Sequence, residues 1–202
     1  SITVTRGDEI GALAESFNIM VDAVLKRDSA LRELAVTDGL TGLYNQRHFK
    51  AELEKMLKSA ARFNHKISLI FADVDFFKHY NDAHGHSAGD MALKMVAAVF
   101  LKSTREVDLA ARYGGEEFVV ILPETGLKDA LLVAERLRRG VAHEIIPHEE
   151  TQPNGDMTVS IGVAAYPDHA GDMASLIEAA DMAMYNAKKN GRNRVEGAGG
   201  AG

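Results

Sequence analysis

The chain has 202 residues, 46% of them hydrophobic, with a formal net charge of −6 and no cysteine. That is length for one full domain plus an extension, and apolar content for a real core, which argues against global disorder. The missing thiols exclude disulfides, thiolate metal sites and a cysteine nucleophile, and the acidic balance argues against a general nucleic-acid binder.

No apolar run is long enough to span a bilayer and no signal peptide is visible, so the chain as given reads as a soluble piece. Ile10, Leu13, Phe17, Met20 and Val24 are spaced alternately by three and four, and Leu31 and Leu34 continue the register. This a/d seam predicts an N-terminal coiled-coil-like helix that self-associates as a stalk rather than lying on the domain. Arg27 falls on the seam and marks a local break or stutter. Thr37-Asp38-Gly39-Leu40-Thr41-Gly42 then interrupts the helix with cap and turn chemistry.

A helix is predicted over 45–63, with Phe49, Leu53, Met56, Leu57 and Ala60 on one side. KISLIFADVD (66–75) reads as a buried strand, and residues 89–104 as a helix with Ala92, Val96, Val99 and Phe100 inward. DLAARYGGEEFVVIL (108–122) reads as two strands around a Gly-Gly turn. A helix over 127–142, a strand over 156–166 and a closing helix over 173–190 that stops at Gly191 complete the pattern. Residues 144–155, with Pro153-Asn154-Gly155, read as an extra edge hairpin or loop, and the Gly/Ala tail at 197–202 has nothing to bury.

From residue 66 the order is strand, helix, strand, strand, helix, strand. It predicts an α+β fold: a ferredoxin-like split βαβ core with a central antiparallel sheet and flanking helices at both ends. Two right-handed crossovers would set the first strand beside the hairpin in the middle of the sheet. The end of the first strand, with Asp73 and Asp75, then lies beside the hairpin tip, with Glu116 and Glu117.

Four carboxylates converging on one sheet edge repel each other unless something positive sits among them. Hard divalent ions answer that need, and Mg²⁺ typically uses one or two carboxylates plus phosphate oxygens. Asp73 with Glu116 and Glu117 reads as a metal site; Asp75 alone reads as ordinary polar decoration where a strand ends. FFKHYNDAHGHSAGD (76–90) reads as a long turn whose N–H groups can cradle phosphates, with Lys78 adding a point charge. Asn81 and Asp90 are suited to base reading, although spacing alone makes Asp90 equally a helix N-cap or first-turn acid.

His84 and His86 lack the further spaced ligands of a zinc site and read as histidines that hold the turn. Lys188 and Arg192, four apart around the helix stop, could project towards a triphosphate or complement the helix C-terminus. Arg105 and Asp108, three apart, default to a surface salt bridge; the other reading has Arg105 on a phosphodiester or stacked on a base.

RYGGEEF together with DVDFFKHYNDAHGHSAGD resembles the GGDEF family of diguanylate cyclases, in the form with Glu for the signature Asp. TDGLTGLYNQRHF (37–49) is similar to the family's leading motif, and MTVSIGVAAYP and ADMAMYNAKKNGRNRV to its closing strand and helix, so the resemblance covers about residues 35–195. RGDEIGALAESFNIMVDAV (6–24) resembles the last helix of a HAMP signalling module. The resemblances imply a HAMP-like signalling helix over 1–36, a cyclase domain over 37–196 and a flexible tail over 197–202. They also imply a cytoplasmic domain of an inner-membrane sensor protein, anchored through a segment upstream.

By resemblance, Asp73, the Val74 carbonyl, Glu116 and Glu117 would bind two Mg²⁺ ions, with Mn²⁺ as a substitute, and Glu116 would be the general base. Lys78, Lys188 and Arg192, with the N–H groups of Phe76 and Phe77, would hold the triphosphate of GTP. Asn81 and Asp90 would read guanine, and Asp90 implies guanine selectivity. Tyr80 stands where the family usually has an aliphatic residue. Arg105 and Asp108 match the family's product-inhibition motif, with Arg136 as a second arginine.

The implied reaction joins two GTP into cyclic di-GMP and releases two pyrophosphates. One domain holds one GTP, so the reaction is that of a homodimer, with the stalk controlling how often two half-sites meet. The alternative from another class is a non-catalytic receptor of GTP or cyclic di-GMP that signals through its stalk. A cyclase making a mixed or adenine dinucleotide and a bare dimerisation module are further readings.

Overall fold

The computed structural model describes residues 16–21 and 36–199. Residues 16–21 are helical, and the rest of the a/d seam, Arg27 included, lies outside the described residues. Residues from Asp38 onward form one compact unit.

Its strands are β1 (Tyr44–Asn45), β2 (Ile67–Val74), β3 (Leu109–Gly114), β4 (Glu117–Pro123), β5 (Val159–Tyr166) and β6 (Val195–Gly197). Its helices are α1 (Gln46–Phe63), α2 (Phe77–His84), α3 (His86–Ser103), α4 (Leu127–Ala142) and α5 (Met173–Lys189). The sheet order is β1-β3-β4-β2-β5-β6. Its middle, β3-β4-β2-β5, is antiparallel throughout and is the expected split βαβ arrangement. β1 and β6 add a parallel pairing at each edge, so the whole sheet is mixed. Neither edge strand exceeds three residues, too short for a period-2 pattern to register.

β2 is buried along its entire length, which is why it reads as one apolar run rather than an alternation. Ile70, Ala72 and Val74 join the core under α2, α3 and α4, whereas Ile67, Leu69 and Phe71 join the core under α1 and α5. α5 lies directly on β5 at Gly162, where a Cβ would sit 2.0 Å from the Ala180 carbonyl oxygen. Side chains cap both helices of that layer. Asn45 accepts the His48 N–H, and Asp172 and Ser175 form a reciprocal capping box, each cap worth about 1 kcal/mol.

One local expectation is corrected, and an open one is decided. Residues 76–90 are not a long turn: Phe77 and Tyr80, three apart, bury one face of α2, and α3 follows at once. Gly85, at φ 81°, is the hinge between the two helices. Residues 144–155 form no edge hairpin. They make a loop with one 3₁₀ turn, Glu149–Thr151, anchored by buried Ile146 and by the Tyr80 hydroxyl, which donates to the Pro147 carbonyl.

Candidate functional site

The register of β2 against β4 sets Asp73 directly opposite Glu117. Hydrophobic side chains two and four residues away on each strand belong to the α1/α5 core, so period-2 alternation puts both carboxylates on that side. The hairpin tip closes over the end of β2, because the Val74 N–H donates to the Glu116 carbonyl at 3.2 Å. Gly115, at φ 43°, takes the first turn position, where a two-residue hairpin turn needs a left-handed residue. Glu116 follows, half-buried at the tip.

Lys188, in the last turn of α5, reaches into this acidic end: its Nζ lies 2.8 Å from Asp73 Oδ1. Burial pushes the Asp73 carboxyl up to about 6 against the pull of that ammonium, and repulsion from Glu116 and Asp75 adds to the rise. Glu117 is raised as well, by burial first and then by Asp73 and Asp181. The acidic groups therefore sense one another, with one cation among them. No group of three His, Asp or Glu among the described residues already surrounds a common point. The donor chemistry still fits Mg²⁺, which takes one or two carboxylates and completes its shell with water and phosphate oxygens.

α2 begins immediately past this edge. Phe76 is left-handed at φ 55°, and Lys78 stands exposed in the first turn, among N–H groups that have no partner within the helix. Asn81 lies against α3 at Gly89, where a Cβ would sit 1.9 Å from Asn81 Oδ1. That oxygen is buried and accepts no hydrogen bond. Asp90 is the next residue of α3 and is exposed; it lies beyond the first turn and is neither a cap nor a first-turn acid. His84 is in α2 rather than a loop. It stacks on His148 and contacts Thr151 Oγ1 at 2.8 Å, which holds the 144–155 loop against α2.

Lys188 and Arg192 take separate positions at the same edge. Lys188 meets Asp73, whereas the Arg192 guanidinium lies over the Phe76 ring, 4.4 Å from its centre. Asp75 is not strand-end decoration. It is buried and accepts hydrogen bonds from Thr158 Oγ1, Ser160 Oγ and the Asn193 N–H. Its partners lie over 80 residues away in sequence, which is why spacing could not find them.

Arg105 and Asp108 make a capped turn instead of a side-chain salt bridge. Asp108 Oδ2 accepts the Arg105 N–H at 2.8 Å. Arg105 and Arg136 line a separate cleft of about 550 Å³ at the C-terminal end of α3. Arg136 donates to the Ser103 carbonyl there through Nε and Nη2.

One link escaped the sequence reading. Arg112 donates to the Gly115 carbonyl through Nε and Nη2 and pairs with Asp38 through Nη1 at 3.2 Å. It ties the 37–49 motif to the hairpin turn. Each partner sits inside a quoted motif, yet the pairing of the two motifs is tertiary.

The family model described as "Diguanylate cyclase, GGDEF domain" matches residues 35–194, and a HAMP domain model matches residues 1–26. The response regulator PleD of Caulobacter vibrioides is 42% identical over 165 residues, which cover 82% of this chain and 36% of PleD. Diguanylate cyclase A of Treponema denticola is 40% identical over 176 residues, covering 86% of this chain and 47% of that protein. The chain thus spans less than half the length of these relatives. Among solved structures, the coiled coil and GGDEF domain of DgcB from Caulobacter crescentus, in complex with c-di-GMP, superposes with a TM-score of 0.81 at 33% identity. It covers 95% of this chain and 100% of that one. The active GGEEF domain of a Vibrio cholerae diguanylate cyclase gives 0.70 at 30% identity, covering 78% and 98%. By this family match over most of its length and these superpositions, the chain belongs to the GGDEF family over residues 35–194.

Proposed function

We propose that this chain condenses two GTP into cyclic di-GMP and two pyrophosphates, as a homodimer in which each domain presents one GTP to the other. The observation that carries this reading is Asp73 opposite Glu117 with the Lys188 ammonium seated on the Asp73 carboxylate. With an ammonium there, the acidic end already accepts a cation, which a metal ion could replace, freeing Lys188 for phosphate.

Asp73, the Val74 carbonyl, Glu116 and Glu117 would hold two Mg²⁺ ions, or Mn²⁺ in their place. When bound, such ions acidify the attacking hydroxyl and neutralise the departing pyrophosphate. Glu116, half-buried at the turn, takes the proton of the ribose 3′-hydroxyl. The 3′-oxygen then attacks the α-phosphorus of the facing GTP in line, and the bond to pyrophosphate breaks. Lys78, Lys188, Arg192 and the N–H groups of Phe76 and Phe77 hold the triphosphate at the start of α2.

The orphaned Asn81 Oδ1 supports base reading, since an unmet buried acceptor calls for a ligand N–H. The Asp90 carboxylate accepts from the guanine edge beside it. The cleft lined by Arg105 and Arg136, with Asp108 holding the Arg105 turn, takes the product and inhibits. The HAMP match supports control from an upstream sensor, with residues 1–36 as signalling helix, 37–196 as cyclase domain and 197–202 as tail. In this reading the domain would lie on the cytoplasmic side of an inner membrane.

The test is nucleotide product analysis after incubation with GTP and Mg²⁺, with Glu116→Ala in parallel and Mn²⁺ binding measured for wild type and Asp73→Asn. Wild type yields cyclic di-GMP and Glu116→Ala does not; Asp73→Asn binds Mn²⁺ weakly. Absence of pyrophosphate from wild type would overturn the cyclase reading in favour of a receptor.

A further inference from the structure

Asp75 has no part in the chemistry above, yet it is among the most buried charged groups described, at 2% exposure. Its Oδ1 accepts from Ser160 Oγ at 2.7 Å. Its Oδ2 accepts from Thr158 Oγ1 at 2.7 Å and from the Asn193 backbone N–H at 3.1 Å. Two bonds tie it to the start of β5, and the third reaches the loop between α5 and β6.

That loop is held in an unfavourable shape. Gly191, Arg192 and Asn193 have φ of 112°, 58° and 45°. Successive non-glycine residues in the left-handed region persist only where their surroundings over-determine them. Here the Arg192 N–H donates to the Ala187 carbonyl at 3.0 Å, and Ile161 N–H donates to the Arg194 carbonyl at 2.9 Å. Between them, the Asn193 N–H is fixed by Asp75, and the Asn193 side chain accepts from Arg138.

Phe76, the next residue after Asp75, is itself left-handed at φ 55°, and the Arg192 guanidinium rests on its ring. Two consecutive residues past β2 therefore grip two consecutive residues past α5: Asp75 on Asn193 and Phe76 on Arg192. A guanidinium held over a ring by cation–π attraction still has N–H groups to offer a ligand.

We infer that Asp75 and Phe76 are positioning residues that lock the α5–β6 loop to the end of β2 and hold Arg192 ready for a nucleotide phosphate. This rests on the assignment of Arg192 to the triphosphate. Through the lock, the proposed phosphate-binding groups at the start of α2 and at the end of α5 are set against each other before substrate arrives.

The experiment uses the full chain with Asp75→Asn and Phe76→Leu, each alone and in an Arg192→Ala background. Each single variant raises the KM for GTP about tenfold with kcat within about threefold, and neither adds more than about twofold once Arg192 is alanine. The Asn193 amide exchanges its hydrogen at least about tenfold faster in Asp75→Asn than in wild type. KM effects that multiply in the Arg192→Ala background, or unchanged Asn193 exchange in a folded Asp75→Asn, overturn the lock. Should Asp75→Asn fail to fold, Phe76→Leu with Arg192→Ala decides by the same criterion. Should wild type release no pyrophosphate from GTP, the cyclase reading falls, and binding of GTP by the same variants replaces KM.

Discussion

Lys188 spans from the last turn of α5 to the end of β2 and places its ammonium 2.8 Å from Asp73 Oδ1. The pairing offsets only part of the cost of burying that carboxylate, whose proton is lost near pH 6 instead of 3.8. Asp73 therefore favours the folded state fully only below about pH 4, and that contribution disappears as pH rises through about 6. In divalent-free buffer, Asp73→Asn should gain on wild type between pH 4 and pH 8 by about 2–3 kcal/mol, from a shift of about two units. The same variant should lose cyclase activity. Urea unfolding at the two pH values checks the first claim; a difference that does not change with pH refutes it.

Two glycines should respond oppositely to alanine. At Gly89 the new methyl meets the end of the Asn81 side chain, which can rotate away, and α3 gains about 1 kcal/mol of helix propensity. Gly89→Ala should fold at least as well as wild type and, if Asn81 reads the base as proposed, bind GTP about tenfold more weakly. At Gly162 the methyl meets backbone of α5 at 2.0 Å and 2.1 Å, and a whole helix must move. Gly162→Ala should cost about 3 kcal/mol or more. Thermal melts and nucleotide titrations separate the two outcomes.

Arg112 should be needed for the shape of the hairpin turn. Its removal takes both guanidinium bonds from the exposed Gly115 carbonyl and leaves Asp38 without its ion pair. Against its burial, two bonds from Thr41 and then the guanidinium hold the Asp38 carboxyl below its ordinary value. Arg112→Ala should lower kcat at least about tenfold and cost about 1–2 kcal/mol. Arg112→Lys should restore little of either, since one ammonium cannot reproduce a fork that spans two partners. Wild-type turnover by Arg112→Lys would contradict the geometric part of the claim.

Arg105 and Arg136 make distinct predictions within one cleft. Arg105 is exposed, so Arg105→Ala should relieve inhibition by cyclic di-GMP with little change in melting temperature. Arg136 also holds the Ser103 carbonyl, so Arg136→Ala should relieve inhibition and cost about 1 kcal/mol as well. Progress curves with added product, compared with initial rates, test both. Inhibition that survives Arg105→Ala would place the product elsewhere.

Much of the fold was legible because its cues are local and periodic. The helix over 127–142 is read to the residue, as α4 (Leu127–Ala142), because amphipathic spacing and a preceding turn are properties of contiguous sequence. The two edge strands were not legible, since two or three residues carry no periodicity. Residues 76–90 misled for a related reason. Polar residues and glycines mask a two-turn helix whose only apolar markers are Phe77 and Tyr80.

Sequence alone determined the order of the longer strands and helices, the acidic residues at the strand end and the glycine turn beside them. Those follow from hydrophobic period and turn chemistry, which act over a few residues. Only the tertiary structure decided which distant groups meet: Lys188 on Asp73, Arg112 on Asp38, Asp75 on Asn193. Such pairings depend on strand register and helix packing across tens to more than a hundred residues, and no local pattern records that distance.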